Sequence, residues 1–97
     1  MTAQNASMLI ANSAADFGKV VRYHRQRTGL SQSGLADLAG IGKTSVFDIE
    51  KGKPTVRLAT LMSALRTLNI NLTLAGPLMA ECAQAVKFDH STATGER

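Results

Sequence analysis

The chain has one cysteine, one tyrosine and no tryptophan, and each shortage excludes a class of protein. Cys82 alone cannot close an intramolecular disulfide, so a stapled secreted scaffold is excluded and a reducing compartment, the cytoplasm, suits the chain. Aromatics make up only 4% of 97 residues, which argues against a bulky β-sandwich core and for a helical domain built on Leu, Ala, Val and Ile. No apolar run approaches the ~20 residues that cross a bilayer, and the N-terminus lacks the charged start and apolar stretch of a signal peptide. A membrane is therefore not expected as a partner. Histidine is sparse as well: His24 and His90 stand apart, Cys82 has no neighbouring histidine, and there is neither a phosphate-cradling glycine loop nor metal-ligand spacing. Catalysis, a metal and a cofactor are all unexpected.

What the chain does have is positive charge in one place. The net charge is +4, and between Phe17 and Arg57 it gathers Lys19, Arg22, Arg25, Arg27, Lys43, Lys51, Lys53 and Arg57 against Asp37, Asp48 and Glu50. From Ala75 onward the balance turns slightly acidic, with Glu81, Asp89 and Glu96 against Lys87 and Arg97. A basic region of this kind suits a polyanionic partner; the alternative is an ordinary solvated surface.

Hydrophobic spacing divides the chain into short helices. Residues 1–12 are small and polar apart from Met8, Leu9 and Ile10 and read as a flexible arm. Ser13 with Asp16 has capping-box spacing, and Phe17, Val20, Val21 and His24 follow at helical intervals, so a first helix spans 14–28 and ends at Gly29. Ser31 can cap a second helix with Leu35, Leu38 and Ala39 facing inward and Ala36 allowing close approach. Gly40-Ile41-Gly42 forms a turn, and residues 43–50 form a third helix of about two turns with Val46 and Ile49 as its buried pair. Such a helix is marginal alone and must be held by its neighbours. Leu58, Leu61, Met62, Leu65 and Leu68 mark the core face of a fourth helix over 57–68.

After Asn69 the pattern changes to alternation. Ile70-Asn71-Leu72-Thr73-Leu74 predicts one short strand with Ile70, Leu72 and Leu74 on one face. A lone strand leaves backbone groups unpaired on both edges, so the same strand from a second copy is its simplest partner; the alternative is an extended segment lying over the core. Residues 78–86 can form a short helix behind Pro77, and the remainder has the composition of a disordered tail.

Two helices joined by a Gly-containing turn, the second one short, form the arrangement that presents a recognition helix to the major groove. At ~100° per residue, Ile49, Val46 and Ser45 face inward, while Lys43, Phe47, Thr44, Lys51 and Asp48 lie opposite. Phe47 is poorly explained by the core from that position. In a major groove its ring can touch a thymine methyl, Lys43 can donate to guanine, and Thr44 can reach base edges or phosphate. A protein interface, or a tilt that buries the ring, would equally account for Phe47. Gln32 and Ser33 suit phosphate positioning at the start of the second helix, where their bland role is capping; Ser45 and Lys51 are further phosphate candidates. Asp48 would be repelled by phosphate and is set aside as a contact. Glu50 lies at the margin of the buried face, where Arg25 can form a partly buried structural ion pair with it.

The run Val21-Arg22-Tyr23-His24-Arg25-Gln26-Arg27-Thr28-Gly29-Leu30-Ser31-Gln32, followed by Leu35-Ala36, Gly40-Ile41, Ser45-Val46, Ile49-Glu50 and Gly52, resembles the Cro/C1-type (Xre) helix-turn-helix family. That resemblance implies a DNA-binding transcriptional regulator with phosphate contact at Gln32, base contacts from Lys43 and Thr44, and an Arg25–Glu50 pair. The leucine-rich helix from Leu61 running into Leu68-Asn69-Ile70-Asn71-Leu72-Thr73-Leu74 is similar to HipB-type antitoxins. The similarity implies a homodimer whose strands pair between protomers, which binds double-stranded operator DNA upstream of its own operon and holds a kinase-like toxin inactive. Two features depart from that pattern: the tail has only one aromatic, Phe88, that could anchor in a toxin pocket, and Phe47 with Asp48 are unusual at reading positions. The resulting expectation is a mainly α, four- to five-helix, lambda-repressor-like domain over 13–76, with a C-terminal strand at 70–74 pairing across a dimer, an arm at 1–12 and a tail at 77–97. Its place would be the bacterial cytoplasm, associated with the nucleoid when bound. A free-standing Xre-type repressor, or a protein-binding module on the same fold, are the competing readings.

Overall fold

A computed structural model of the chain describes residues 8–88, within which five helices follow one another: α1 (Ala14–Arg27), α2 (Gln32–Ala39), α3 (Lys43–Lys51), α4 (Leu58–Thr67) and α5 (Met79–Ala85). Side-chain caps start the first two. Ser13 Oγ accepts from the Asp16 N–H at 3.2 Å, and the Asp16 carboxylate reaches back to accept from the Asn12 N–H at 2.9 Å, so the box expected from sequence closes one residue before the cap, on Asn12 rather than on the Ser13 N–H. Ser31 Oγ accepts from the Gly34 N–H at 2.9 Å.

The first four helices end in the same way. The Leu30, Ile41, Lys53 and Ile70 N–H groups donate to the carbonyls of Arg25, Ala36, Asp48 and Leu65, each five residues earlier. The residue just before each donor is left-handed: Gly29, Gly40, Gly52 and Asn69. This closure satisfies carbonyls that the helix would otherwise leave open and turns the chain back on itself. Leu30, Ile41 and Ile70, thrown inward by the turn, pack on the core. Three of the four stop signals therefore also supply a core residue, and the fourth, at Gly52, leaves Lys53 exposed.

That core is built from Val21, Leu35, Ala36, Val46, Ile49, Ala64, Leu65 and Leu68. α3 is its hub, packed against α1 and α2, while α4 lies mainly on α2. At nine residues α3 is shorter than the roughly 12–15 that fold alone, so burial of Val46 and Ile49, worth about 1.5–3 kcal/mol each, holds it. The approach of α1 is unusually close because Gly18 lies at the crossing. A Cβ there would sit 2.4 Å from the Ile49 carbonyl oxygen and 2.9 Å from that of Glu50.

Two expected core residues lie outside it. Leu38 is 67% exposed, because the buried stripe of α2 is centred between Leu35, Ala36 and Ala39, and a residue three beyond Leu35 falls roughly 100° off that centre. Leu58, the first residue of α4, is exposed at the rim of a crevice lined by Phe17, Pro54 and Leu61. Residues 70–74 form no strand ladder in the single chain. Ile70 is fixed by the α4 closure, and Leu72 and Leu74 are exposed. Of the arm expected at 1–12 and the tail expected at 77–97, residues 1–7 and 89–97, including His90, lie outside the described residues. Among those described, no helix is long and apolar enough to cross a membrane, and no group of His, Cys, Asp and Glu could hold a metal ion.

Candidate nucleic-acid interface

The candidate surface is the outer side of α3, a helix that the Gly40-Ile41-Gly42 turn sets against α2. Gly42 caps α3 without a side-chain hydrogen bond, and no acidic residue occupies the first turn. The positive end of the helix is thus left uncompensated beside Lys43 and Thr44, both exposed. One turn on, Phe47 is 47% exposed rather than tilted into the core. The Lys51 ammonium lies 5.5 Å from its ring centroid, a cation–π distance that steadies both side chains on the same face.

Asp48 turns away from this face. Its carboxylate faces Lys53 at 3.8 Å and lines an open polar cleft of about 300 Å³ together with Ser45, Thr55, Val56, Arg57 and Thr60. Ser45 is half-buried there, so the structure separates it from Lys43, Thr44 and Phe47 and places it in the groove between α3 and the loop to α4. Arg57, which the residue pattern did not single out, shares that cleft.

Behind α3 lies the group that orients it. Arg25 Nε meets Glu50 Oε2 at 2.5 Å and Arg25 Nη2 donates to Oε1 at 2.9 Å, a bidentate pair whose side chains are only 11% and 5% exposed. Arg25 Nη1 also donates to the Leu30 carbonyl at 2.9 Å, and Gln32 Nε2 donates to Glu50 Oε1 at 3.1 Å. The guanidinium thus ties α1, the α1–α2 turn and α3 together. Burial pushes the Glu50 carboxyl up, but the hydrogen bonds from Arg25 and Gln32, with the charges of Arg25 and Arg22, outweigh it and hold the group below the usual carboxylate range. Arg25 is held above its ordinary value, first by its hydrogen bond to Glu50.

The part played by Gln32 was not evident from sequence, where it stood out only as a polar residue at a helix start. An amide nitrogen carries two donors, and Glu50 engages one of them. His24 is similarly occupied, its Nδ1 donating to the Val20 carbonyl at 2.8 Å. Ile70, Leu72 and Leu74 belong to the segment beyond α4 and form no part of the α3 surface.

Comparison with known proteins agrees with this geometry. A helix-turn-helix family model, HTH_3, matches residues 21–74. An uncharacterized HTH-type transcriptional regulator of Sinorhizobium fredii, y4mF, is 36% identical over 63 residues, 65% of this chain and 83% of the relative. Among solved structures, a HipB-O4 20mer complex superposes with a TM-score of 0.65 at 25% identity, covering 71% of this chain and 97% of that one. A HipA-HipB-O2-O3 complex superposes at 0.66 with 25% identity over the same shares of the two chains.

Proposed function

The chain belongs to the HTH_3 helix-turn-helix family and is a transcriptional regulator of the Xre/HipB type, and from that premise we propose that it binds operator DNA as a homodimer through α3. Lys43, Thr44 and Phe47 contact base edges, while Ser33, Lys51, Ser45 and the second amide donor of Gln32 contact phosphates. The observation that carries this reading is the outer strip of α3: exposed side chains of mixed chemistry, none spent on the core, on a helix clamped from behind by Arg25 and Glu50. Ile70, Leu72 and Leu74 pair with the same strand of a second copy, which duplicates the reading helix across a two-fold axis.

We further propose that the chain is the antitoxin and autorepressor of a HipA/HipB-like operon. Its likeness to HipB in a HipA-HipB complex supports this, and the product of the adjacent reading frame is the partner to test. Co-purification with a kinase-like chain encoded there is the expected result. A frame of unrelated sequence, or no complex, leaves a free-standing repressor.

DNA binding itself is tested by selecting bound genomic fragments and titrating one across salt. Affinity should fall steeply and log-linearly with salt as counterions are released, and unselected sequence should bind about 10³-fold or more weaker. A salt-insensitive interaction would instead identify a protein-binding module.

A further inference from the structure

The exposed apolar residues that follow α4 extend beyond the segment 70–74, to Leu78 and Val86. α5 contains no buried residue and makes no substantial packing against the other helices. Leu74 is 73% exposed and Leu78 65%, with Leu72 and Val86 also open, so an uncovered apolar strip runs from the strand segment through the helix. Leu78 at the N-cap of α5, Cys82 within it and Val86 at its C-cap recur every fourth residue, with the Val86 N–H still donating to the Cys82 carbonyl at 2.9 Å and Met79 beside them. The stripe lies apart from the basic region, in a part of the chain whose balance is slightly acidic, and Glu81 sits in the first turn of the helix. A polyanion is thus the wrong occupant.

Area identifies the right one. A standard protein interface uses about 20–30 residues a side, near 800 Å² per partner, and an isolated two-stranded ribbon is at best marginally stable. The segment 70–74 supplies five residues, far short of that. We infer that α5 completes the homodimer interface by packing antiparallel on α5 of a second copy, with Leu78 of one protomer against Val86 of its partner and the two Cys82 side chains meeting at the two-fold axis. The stripe suits this because it is symmetric about Cys82: in an isologous contact, residue i meets j while j meets i. The inference rests on the homodimer reading above and adds a second surface to it.

The test uses the full chain in sedimentation equilibrium, with three proteins compared: wild type, the strand variant Leu72→Pro and the α5 variant Leu78→Glu/Val86→Glu. A short bismaleimide probes Cys82 in each, and far-UV circular dichroism checks folding. The expected result is a wild-type dimer that cross-links through Cys82, and an α5 variant with full helical signal, a dissociation constant raised at least tenfold and no cross-link. A dimer constant unchanged by the α5 substitutions overturns the inference while leaving the strand-paired homodimer intact. Weakened dimers whose wild-type form never cross-links overturn the antiparallel arrangement. A wild-type chain that stays monomeric at all concentrations, with Leu72→Pro indistinguishable from it, removes the homodimer reading and this inference together.

Discussion

Replacing Glu50 with leucine removes the acceptor for three hydrogen bonds at once, two from Arg25 and one from Gln32. Arg25 would keep only the Leu30 carbonyl, at 2.9 Å, as a partner for a guanidinium that is 11% exposed, and Gln32 would lose its acceptor. Leaving one member of a buried pair uncompensated costs about 3–5 kcal/mol. Total stability of small domains is about 5–15 kcal/mol, so the variant should lie near the edge of folding, with a midpoint lowered by about 12 °C or more. The converse variant, Arg25→Met, should be similarly damaging, because it strands a carboxylate that is 5% exposed. The double variant Arg25→Met/Glu50→Leu is the informative one: with both charges gone, an apolar contact of similar volume should recover most of the loss, to within about 2 kcal/mol of wild type. Urea unfolding followed by circular dichroism gives all four stabilities. Acid unfolding adds a sign. Because the Glu50 carboxyl is held below its usual range when folded, its contribution is fully present above the unfolded carboxylate pKa and is lost as pH falls through the lower folded value. Glu50→Leu should therefore flatten the acid limb of stability against pH. Single variants costing under about 1 kcal/mol, or losses that simply add in the double variant, would refute the clamp.

Gly18→Ala should destabilise by about 1–3 kcal/mol in urea unfolding although alanine is the better helix former by about 1 kcal/mol, because the new methyl meets two backbone carbonyl oxygens that cannot move independently; a stabilised variant would show that the α1–α3 crossing is looser than described. At the end of α4, Asn69 holds φ at 65°, so Asn69→Ala should cost about 1–2 kcal/mol and Asn69→Gly little or nothing, measured as shifts in thermal midpoint. Lys43→Ala and Phe47→Ala should each weaken operator binding by about 1–3 kcal/mol without changing the unfolding midpoint, and unchanged affinity in both would remove α3's outer strip from the reading surface. If Phe47 touches a thymine methyl, replacing the contacted thymine by deoxyuridine should reproduce most of the Phe47→Ala loss in wild type and cause little further loss in the variant.

How much of this was legible in the sequence depended on which physical signal each residue carries. Burial at 3.6-residue spacing marked Val21, Leu35, Val46, Ile49 and Leu65, and opposite charges near the same buried margin marked Arg25 with Glu50. Caps and left-handed glycines gave the helix ends within a residue or so. Leu38 misled because a hydrophobic residue three positions from a buried one satisfies a periodic pattern whether or not the eight-residue helix turns that far inward. Gly18 was silent: within a helix glycine reads only as a weak former, and its use here depends on where another helix's carbonyls lie. Gln32 was half legible, visible as a polar group at a helix start but not as a donor to a carboxylate 18 residues away. Strand pairing at 70–74 could not emerge from one chain, since a ladder needs backbone groups that the described residues do not offer it.

The back of α3, with Val46, Ile49 and Glu50, and its outer strip, with Lys43, Thr44, Phe47 and Lys51, have separate tasks. A nine-residue helix cannot hold its own axis in a groove, and a displacement of one ångström at its N-terminus would be enough to break a bidentate contact with a base edge. The back of the helix therefore has to be more rigid than its propensity allows, and three unrelated devices meet there: carbonyls lodged against Gly18, the buried Val46 and Ile49, and a guanidinium that spans three segments. None of them uses a side chain of the outer strip. The strip is thereby free of any structural duty in the core, as the 47% exposure of Phe47 reflects. Gln32 on α2 belongs to the clamp through one amide donor on Glu50 and retains a second donor. A phosphate held by that second donor would be tied through Glu50 and Arg25 to α1, so that gripping the DNA backbone and fixing the tilt of the reading helix become one event.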